Sequence, residues 1–221
     1  MSARSALRVV GDALITAGLV VALFAVYEVF YTGVYTGHAQ ARLRHALDQQ
    51  WASAPKRGVL ATRGAPALGD GVAILYLPRL GAHYAKVIVE GVQVADLRKG
   101  PGHYPGSALP GQVGNFVVSG HRTTYGAPFG SLNRLRVHDP IVLETRDAWY
   151  VYRVTSQRIV SPTAIDVTDP VPDRPGARAR QALLTFTTCH PRYSARQRLV
   201  VFAVLDSTRP RSAGVPQVSA G

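Results

Sequence analysis

Between Val9 and Tyr31 the chain runs through 23 residues interrupted only by Asp12 and Glu28, and Ala13 to Tyr27 carries no charge. A helix needs about 20 mostly apolar residues to span a bilayer, so this segment is long enough to cross a membrane with its two acids near opposite interfaces. A cleaved signal peptide and an uncleaved anchor both begin this way. Ala39-Gln40-Ala41 resembles a cleavage site, but it lies well beyond the apolar segment, which is itself longer than a signal core. These features favour an anchor. Arg42 and Arg44 offset Arg4 and Arg8 under the positive-inside rule, and the short amino-terminal tail then gives an N-in, C-out arrangement.

The remainder of a 221-residue chain suits one medium domain with appendages, large enough to need no disulfide staples. The formal charge of +12 is almost wholly arginine, since only Lys56, Lys86 and Lys99 are lysines. Such an excess could address nucleic acid, an anionic membrane surface or a polyanionic wall. The arginines are scattered from Arg4 to Arg211 and no nucleic-acid motif accompanies them, which argues against a nucleic-acid partner and for a solvated basic face.

Gln40 to Trp51 has helical character, with Leu43, Leu47 and Trp51 at four-residue spacing. Residues 52–70 are rich in Ser, Pro, Gly and Ala without periodicity and read as a linker. From Gly71 the chain becomes a series of short β-branched and aromatic runs, predicting strands at 72–77, 86–90, 115–119, 140–145, 149–160, 182–189 and 198–206, with a short helix near Leu132. That pattern is all-β, a barrel or a sandwich. The expected division is 1–34 cytoplasmic tail and transmembrane anchor, 35–70 juxtamembrane helix and linker, 71–207 β domain, and 208–221 disordered tail.

Cys189 is the only cysteine, at the end of the apolar stretch Leu183 to Thr188. Unpaired outside the cytoplasm, it is either a packed thiol or a reactive one. If the strands flanking His190 to Gln197 pair antiparallel, Cys189 and Arg198 become cross-strand neighbours. A guanidinium there would favour the thiolate and offer N–H donors to an oxyanion. Arg196 shares that strand parity, so periodicity leaves both open. His121, at the end of the strand Asn115 to Ser119 and after Gly120, suits proton transfer near neutral pH. His103 lies in a Gly/Pro-rich turn and His190 directly follows the thiol. A zinc site from Cys189 and two histidines lacks the paired spacing of structural zinc motifs.

Thr185-Phe186-Thr187-Thr188-Cys189, Arg198 before Leu199-Val200-Val201, Gly120-His121-Arg122-Thr123-Thr124, and the loop Gly100 to Gly111 together resemble the sortase family over about 71–207. Phe186 stands where the family has leucine; strand alternation turns it away from Cys189, so altered packing is expected and not lost activity. The resemblance implies an eight-stranded β-barrel with short helices behind a transmembrane helix, with no metal or cofactor. It implies a cysteine transpeptidase with Cys189 as nucleophile, His121 as general acid and base, and Arg198, in preference to Arg196, as the oxyanion residue. Thr188-Cys189-His190 and Gly120 to Gly126 look most like class E enzymes of high-GC Gram-positive bacteria. That class implies a Leu-Ala-x-Thr-Gly signal cut between Thr and Gly and substrate contacts by Tyr104 and Tyr125, with Thr188 and His190 beside the thiol. Implied partners are secreted proteins bearing that carboxy-terminal signal, a lipid-linked peptidoglycan precursor as acceptor amine, and the membrane, with the catalytic domain extracellular. Three alternatives stand beside it: a pilin-polymerising sortase with a lysine acceptor, an extracellular cysteine protease or hydrolase using water, and a non-catalytic wall-binding module that would tolerate Cys189→Ala.

Overall fold

The computed structural model describes residues 3–53 and 66–218. Alternation of β-branched and aromatic residues from Gly71 onward becomes eight strands: β1 Gly71–Tyr76, β2 Ala85–Glu90, β3 Gly102–His103, β4 Gly114–Ser119, β5 Pro140–Glu144, β6 Ala148–Val160, β7 Ala182–His190 and β8 Gln197–Pro210. They close into a barrel in the order β1-β2-β3-β4-β7-β8-β6-β5. Closure gives every strand a neighbour on both sides, although the two-residue β3 reaches only Val89 and Glu90 of β2. Inward positions fill the lumen with Phe116, Phe129, Tyr152 and Phe186, each fully buried. β3 was not foreseen, because two residues show no periodicity; it exists because it pairs with β2 on one side and β4 on the other.

Two expected boundaries change. The tail 208–221 is not disordered through residue 218: β8 continues to Pro210, and Arg211–Ala213 forms a single helical turn. Arg211 donates to the buried Glu144 at 2.8 Å and its guanidinium lies 4.7 Å from the Trp51 ring centroid, partners far away in sequence. The linker expected at 52–70 is attached to the barrel from its last residues, with Gly69 N–H donating to Glu90 O at 2.8 Å; residues 54–65 lie outside those described.

The amino-terminal segment is one continuous helix, α1, Ala3–Ser53. It is long and apolar enough to cross a membrane, and its apolar window is not buried at all. The second half behaves differently. Thr32, Thr36, Ala39, Leu47 and Trp51 are buried along one face, the i, i+4, i+7 spacing of a helical stripe. Leu47 and Trp51 pack with Ile74 and Val87 of the barrel. Gln40 donates to Val87 O and Lys99 O and accepts from Val87 N–H, taking the place of a strand neighbour at the edge of β2. The expected cleavage sequence Ala39-Gln40-Ala41 therefore sits in the docked helix.

Candidate active site

β4 and β7 run parallel, and their register pairs Val118 with Phe186 and Ser119 with Thr187. Gly120 N–H extends the ladder by donating to Thr187 O at 3.1 Å. One step further along the same register, His121 comes level with Cys189. β7 and β8 run antiparallel with Cys189 directly opposite Arg198. Cys189 and Arg198 are thus cross-strand partners on β7 and β8, and the β4–β7 register, carried two residues past the end of β4, puts His121 in line with them. Side chains alternate along β7, so with Phe186 in the lumen Cys189 belongs to the outer face. The thiol is partly exposed.

The row is fastened from beneath. Thr188, buried, donates its hydroxyl to Gly120 O at 2.8 Å, tying the residue before the thiol to the residue before the imidazole. Ser119 and Thr187 hydroxyls bond to each other one row below. Phe129 N–H donates to His121 O at 3.0 Å. A Cβ on Gly120 would meet the Phe129 ring at 2.7 Å; the glycine is required here by close packing and not by its backbone angle. Phe129 in turn packs on Phe186, with centroids 5.0 Å apart, which is where the family's leucine is replaced.

His121 Nε2 is buried without a hydrogen-bond partner among the described residues. Its ring lies 4.9 Å from that of Tyr125. Burial, aided by the positive charge of Arg98, holds its pKa below the ordinary histidine value. A neutral imidazole with an open nitrogen is suited to accept a proton.

The sequence reading gave no role to Arg122. It is buried, and one guanidinium nitrogen donates to Cys189 O at 3.3 Å and to His190 Nδ1 at 3.2 Å while the other donates to Asn133 Oδ1 at 3.0 Å. Burial first, and the neighbouring Arg192 second, push its pKa down, opposed by the charge at Cys189. The available signal was alternation: following an outward His121, residue 122 must point inward, and an inward arginine needs buried acceptors. Arg198 is less enclosed and donates to Ala195 O at 2.9 Å and Gln197 O at 3.1 Å.

Of the other expected contact residues, Tyr125 and His190 are brought to this row, while Thr188 is beneath it as a clasp. Tyr104 is elsewhere. Its N–H pairs with Val117 O, about 13 Å from the His121 level at 3.3 Å per residue. Its side chain lines a separate cavity with Ser107, Asn115 and Pro170. The loop that carries it is anchored by His103, whose Nδ1 lies 2.6 Å from Glu90 and whose Nε2 lies 2.8 Å from Ser107 Oγ.

The sortase domain family model matches residues 75–206. Sortase SrtE1 of Streptomyces coelicolor is 36% identical over 219 residues, covering 95% of this chain and 60% of that protein, so the chain spans less than two thirds of that relative's length. The structure of sortase E from Streptomyces avermitilis is 42% identical with a TM-score of 0.63, covering 69% of this chain and 98% of that one. Sortase E1 of Streptomyces coelicolor, solved with a tripeptide in the active site, is 38% identical with a TM-score of 0.62, covering 69% and 98% respectively.

Proposed function

The chain belongs to the sortase family, and from that premise we propose that it is a membrane-anchored cysteine transpeptidase. It cleaves a carboxy-terminal sorting signal, Leu-Ala-x-Thr-Gly, between Thr and Gly and joins the acyl fragment to an amine of a lipid-linked cell-wall precursor. The observation that supports this reading best is Cys189 paired with Arg198 across β7 and β8, with His121 just past the end of β4, the strand that neighbours β7. A peptide ligand agrees with the tripeptide held by the related sortase E1.

Neutral His121 takes the thiol proton, and the Cys189 sulfur attacks the threonine carbonyl carbon. The carbonyl oxygen gains negative charge and receives N–H donors from Arg198, with the buried Arg122 charge fixing the Cys189 backbone beneath. The C–N bond breaks, imidazolium gives its proton to the departing glycine amine, and a thioester remains on Cys189. The acceptor amine then attacks that thioester, loses its proton to His121, and expels the thiolate. Tyr125 covers His121, and excluding water there favours the amine as acceptor.

A membrane anchor is supported by the exposed apolar half of α1, and the short amino-terminal tail before it gives the N-in arrangement that puts the catalytic domain outside. The bonds of Gln40 to Val87 and Lys99 support an uncleaved anchor, since cutting at Ala39-Gln40-Ala41 would sever the docked helix.

The test is mass spectrometry of the full chain in detergent, incubated with a Leu-Ala-x-Thr-Gly peptide with and without triglycine. The expected result is an acyl adduct on Cys189, converted to the triglycine conjugate when the amine is present and absent in Cys189→Ala. Adduct formation followed only by hydrolysis would replace transpeptidase with protease; no adduct at all would remove Cys189 as the nucleophile.

A further inference from the structure

The turn after His121 is an expensive conformation. Tyr125, Gly126 and Ala127 all have positive φ, at 51°, 70° and 42°. A left-handed conformation costs a non-glycine residue about 1–2 kcal/mol, so Tyr125 and Ala127 hold it only if the surroundings fix the turn. Ala127 N–H donates to Thr124 O at 2.9 Å and Phe129 N–H to His121 O at 3.0 Å. Gly130 N–H donates to Ala127 O at 2.9 Å, and a tie from outside the loop comes from the anchor helix: Tyr125 N–H donates to Thr32 Oγ1 at 3.2 Å. That hydroxyl in turn donates a hydrogen bond to Glu28 O at 2.5 Å, so Thr32 Oγ1 both accepts and donates.

A second contact lies one helical turn on. Thr36 donates to Arg98 O at 2.8 Å, and a Cβ added to Gly126 would lie 3.6 Å from Thr36 Cγ2, so the helix flanks the turn at that residue. Arg98 caps Tyr125 from the other side, with its guanidinium 5.6 Å from the ring centroid. Thr32 and Thr36 are each only 4% exposed. Hydroxyls in this part of the helix are therefore not solvated polar residues; they bond to the two segments that frame His121. The groups facing the imidazole are the Tyr125 ring from its own loop and the Arg98 charge from the segment after Val94–Leu97. The helix contributes the hydroxyls of Thr32 and Thr36, bonded to the Tyr125 turn and to Arg98 O, and β7 contributes Thr188, bonded to Gly120 O beside the histidine.

We infer that α1 is an active-site element as well as an anchor: Thr32 and Thr36 are positioning residues that hold the Tyr125 turn and Arg98 against His121. The inference rests on the reading of His121 as the proton-transfer residue. Thr32 immediately follows the apolar span ending at Tyr31, so the same contacts keep the imidazole level with the end of the membrane segment.

The experiment uses the full chain in lipid nanodiscs. In the unmodified protein, hydrogen exchange should find the Tyr125 amide protected; exchange at the rate of an open loop would overturn the inference without any variant. Thr32→Val and Thr36→Val keep side-chain shape and remove the hydroxyl. Each should lower kcat about tenfold, in keeping with small misplacement of a reacting group, with KM little changed. NMR titration of His121 should move to higher pH as Tyr125 and Arg98 loosen. Thr32→Ser and Thr36→Ser, which retain the hydroxyl, should restore both readouts. Valine variants with the imidazole titration unmoved would assign the threonines to helix docking alone. If His121 were not the catalytic group, the exchange and titration effects would persist while kcat stayed constant, so the two failures are distinguishable.

Discussion

Two histidines in this barrel follow a glycine, Gly102-His103 and Gly120-His121, and the fold treats them oppositely. His103 is 1% exposed, stacked 4.9 Å from Phe116, with both ring nitrogens engaged by Glu90 and Ser107. His121 is half-buried, and its Nε2 has no hydrogen-bond partner among the described residues. A ring with every polar atom paired is part of the architecture; leaving a buried nitrogen unpaired costs about 1–3 kcal/mol, a cost that makes sense where a substrate proton is to be met. The difference teaches that hydrogen-bond satisfaction, more than the local motif, separates a latch from a site.

The strongest way to break that distinction is to remove each ring. His121→Ala should lower kcat/KM about 10²- to 10⁴-fold, the usual contribution of general acid-base catalysis, with the thermal unfolding midpoint nearly unchanged. His103→Ala should do the reverse. Leaving Glu90 buried and unpaired should cost about 3–5 kcal/mol in a denaturant titration, while the folded fraction turns over normally. Equal stability losses in the two variants would erase the contrast.

Gly120→Ala sharpens it. The new methyl would press on the Phe129 ring at 2.7 Å, and overpacking of this kind costs about 1–3 kcal/mol. Both unfolding and turnover should suffer, because the displaced backbone carries His121. Phe186→Leu should cost less than about 1.5 kcal/mol and leave kcat unchanged; a large loss of turnover would mean that the Phe129–Phe186 contact also positions the imidazole.

The smallest effect concerns pH. Burial and Arg98 hold His121 below its ordinary value, so the unfolded chain binds the extra proton. This contribution to stability is complete above the ordinary histidine pKa near 6.5 and is lost as pH falls below it. Tyr125→Ala opens the ring to water and should shift the imidazole titration upward in NMR. A downward shift would show that Tyr125 favours the charged form.

Much of the barrel was legible because strand alternation is local. Seven of the strands, and the opposite aspects of Phe186 and Cys189 along β7, follow from period-two patterning, whereas the pairing of Cys189 with Arg198 and not Arg196 needed the β7–β8 register. β3 and the ordered stretch from Thr208 to Val218 did not, since each is held by partners remote in sequence, Arg211 by Glu144 and Trp51. The resemblance favours Tyr104 over Tyr125 as the pocket tyrosine, and nothing local to either residue reports strand register. Both follow a histidine-containing loop, yet the register of β3 on β4 sends one to a separate cavity and leaves the other on His121.

The sequence by itself determined an apolar helix long enough for a membrane, a β domain, and three reactive residue types in a recognisable order, because periodicity and motif spacing are written along one dimension. Only the tertiary structure decided that His121, Cys189 and Arg198 share a row, that Arg122 lies under the thiol, and that Thr32 and Thr36 reach the Tyr125 turn. Strand register and helix docking set those distances, and both are fixed by burial and hydrogen bonding between segments that the chain order keeps apart.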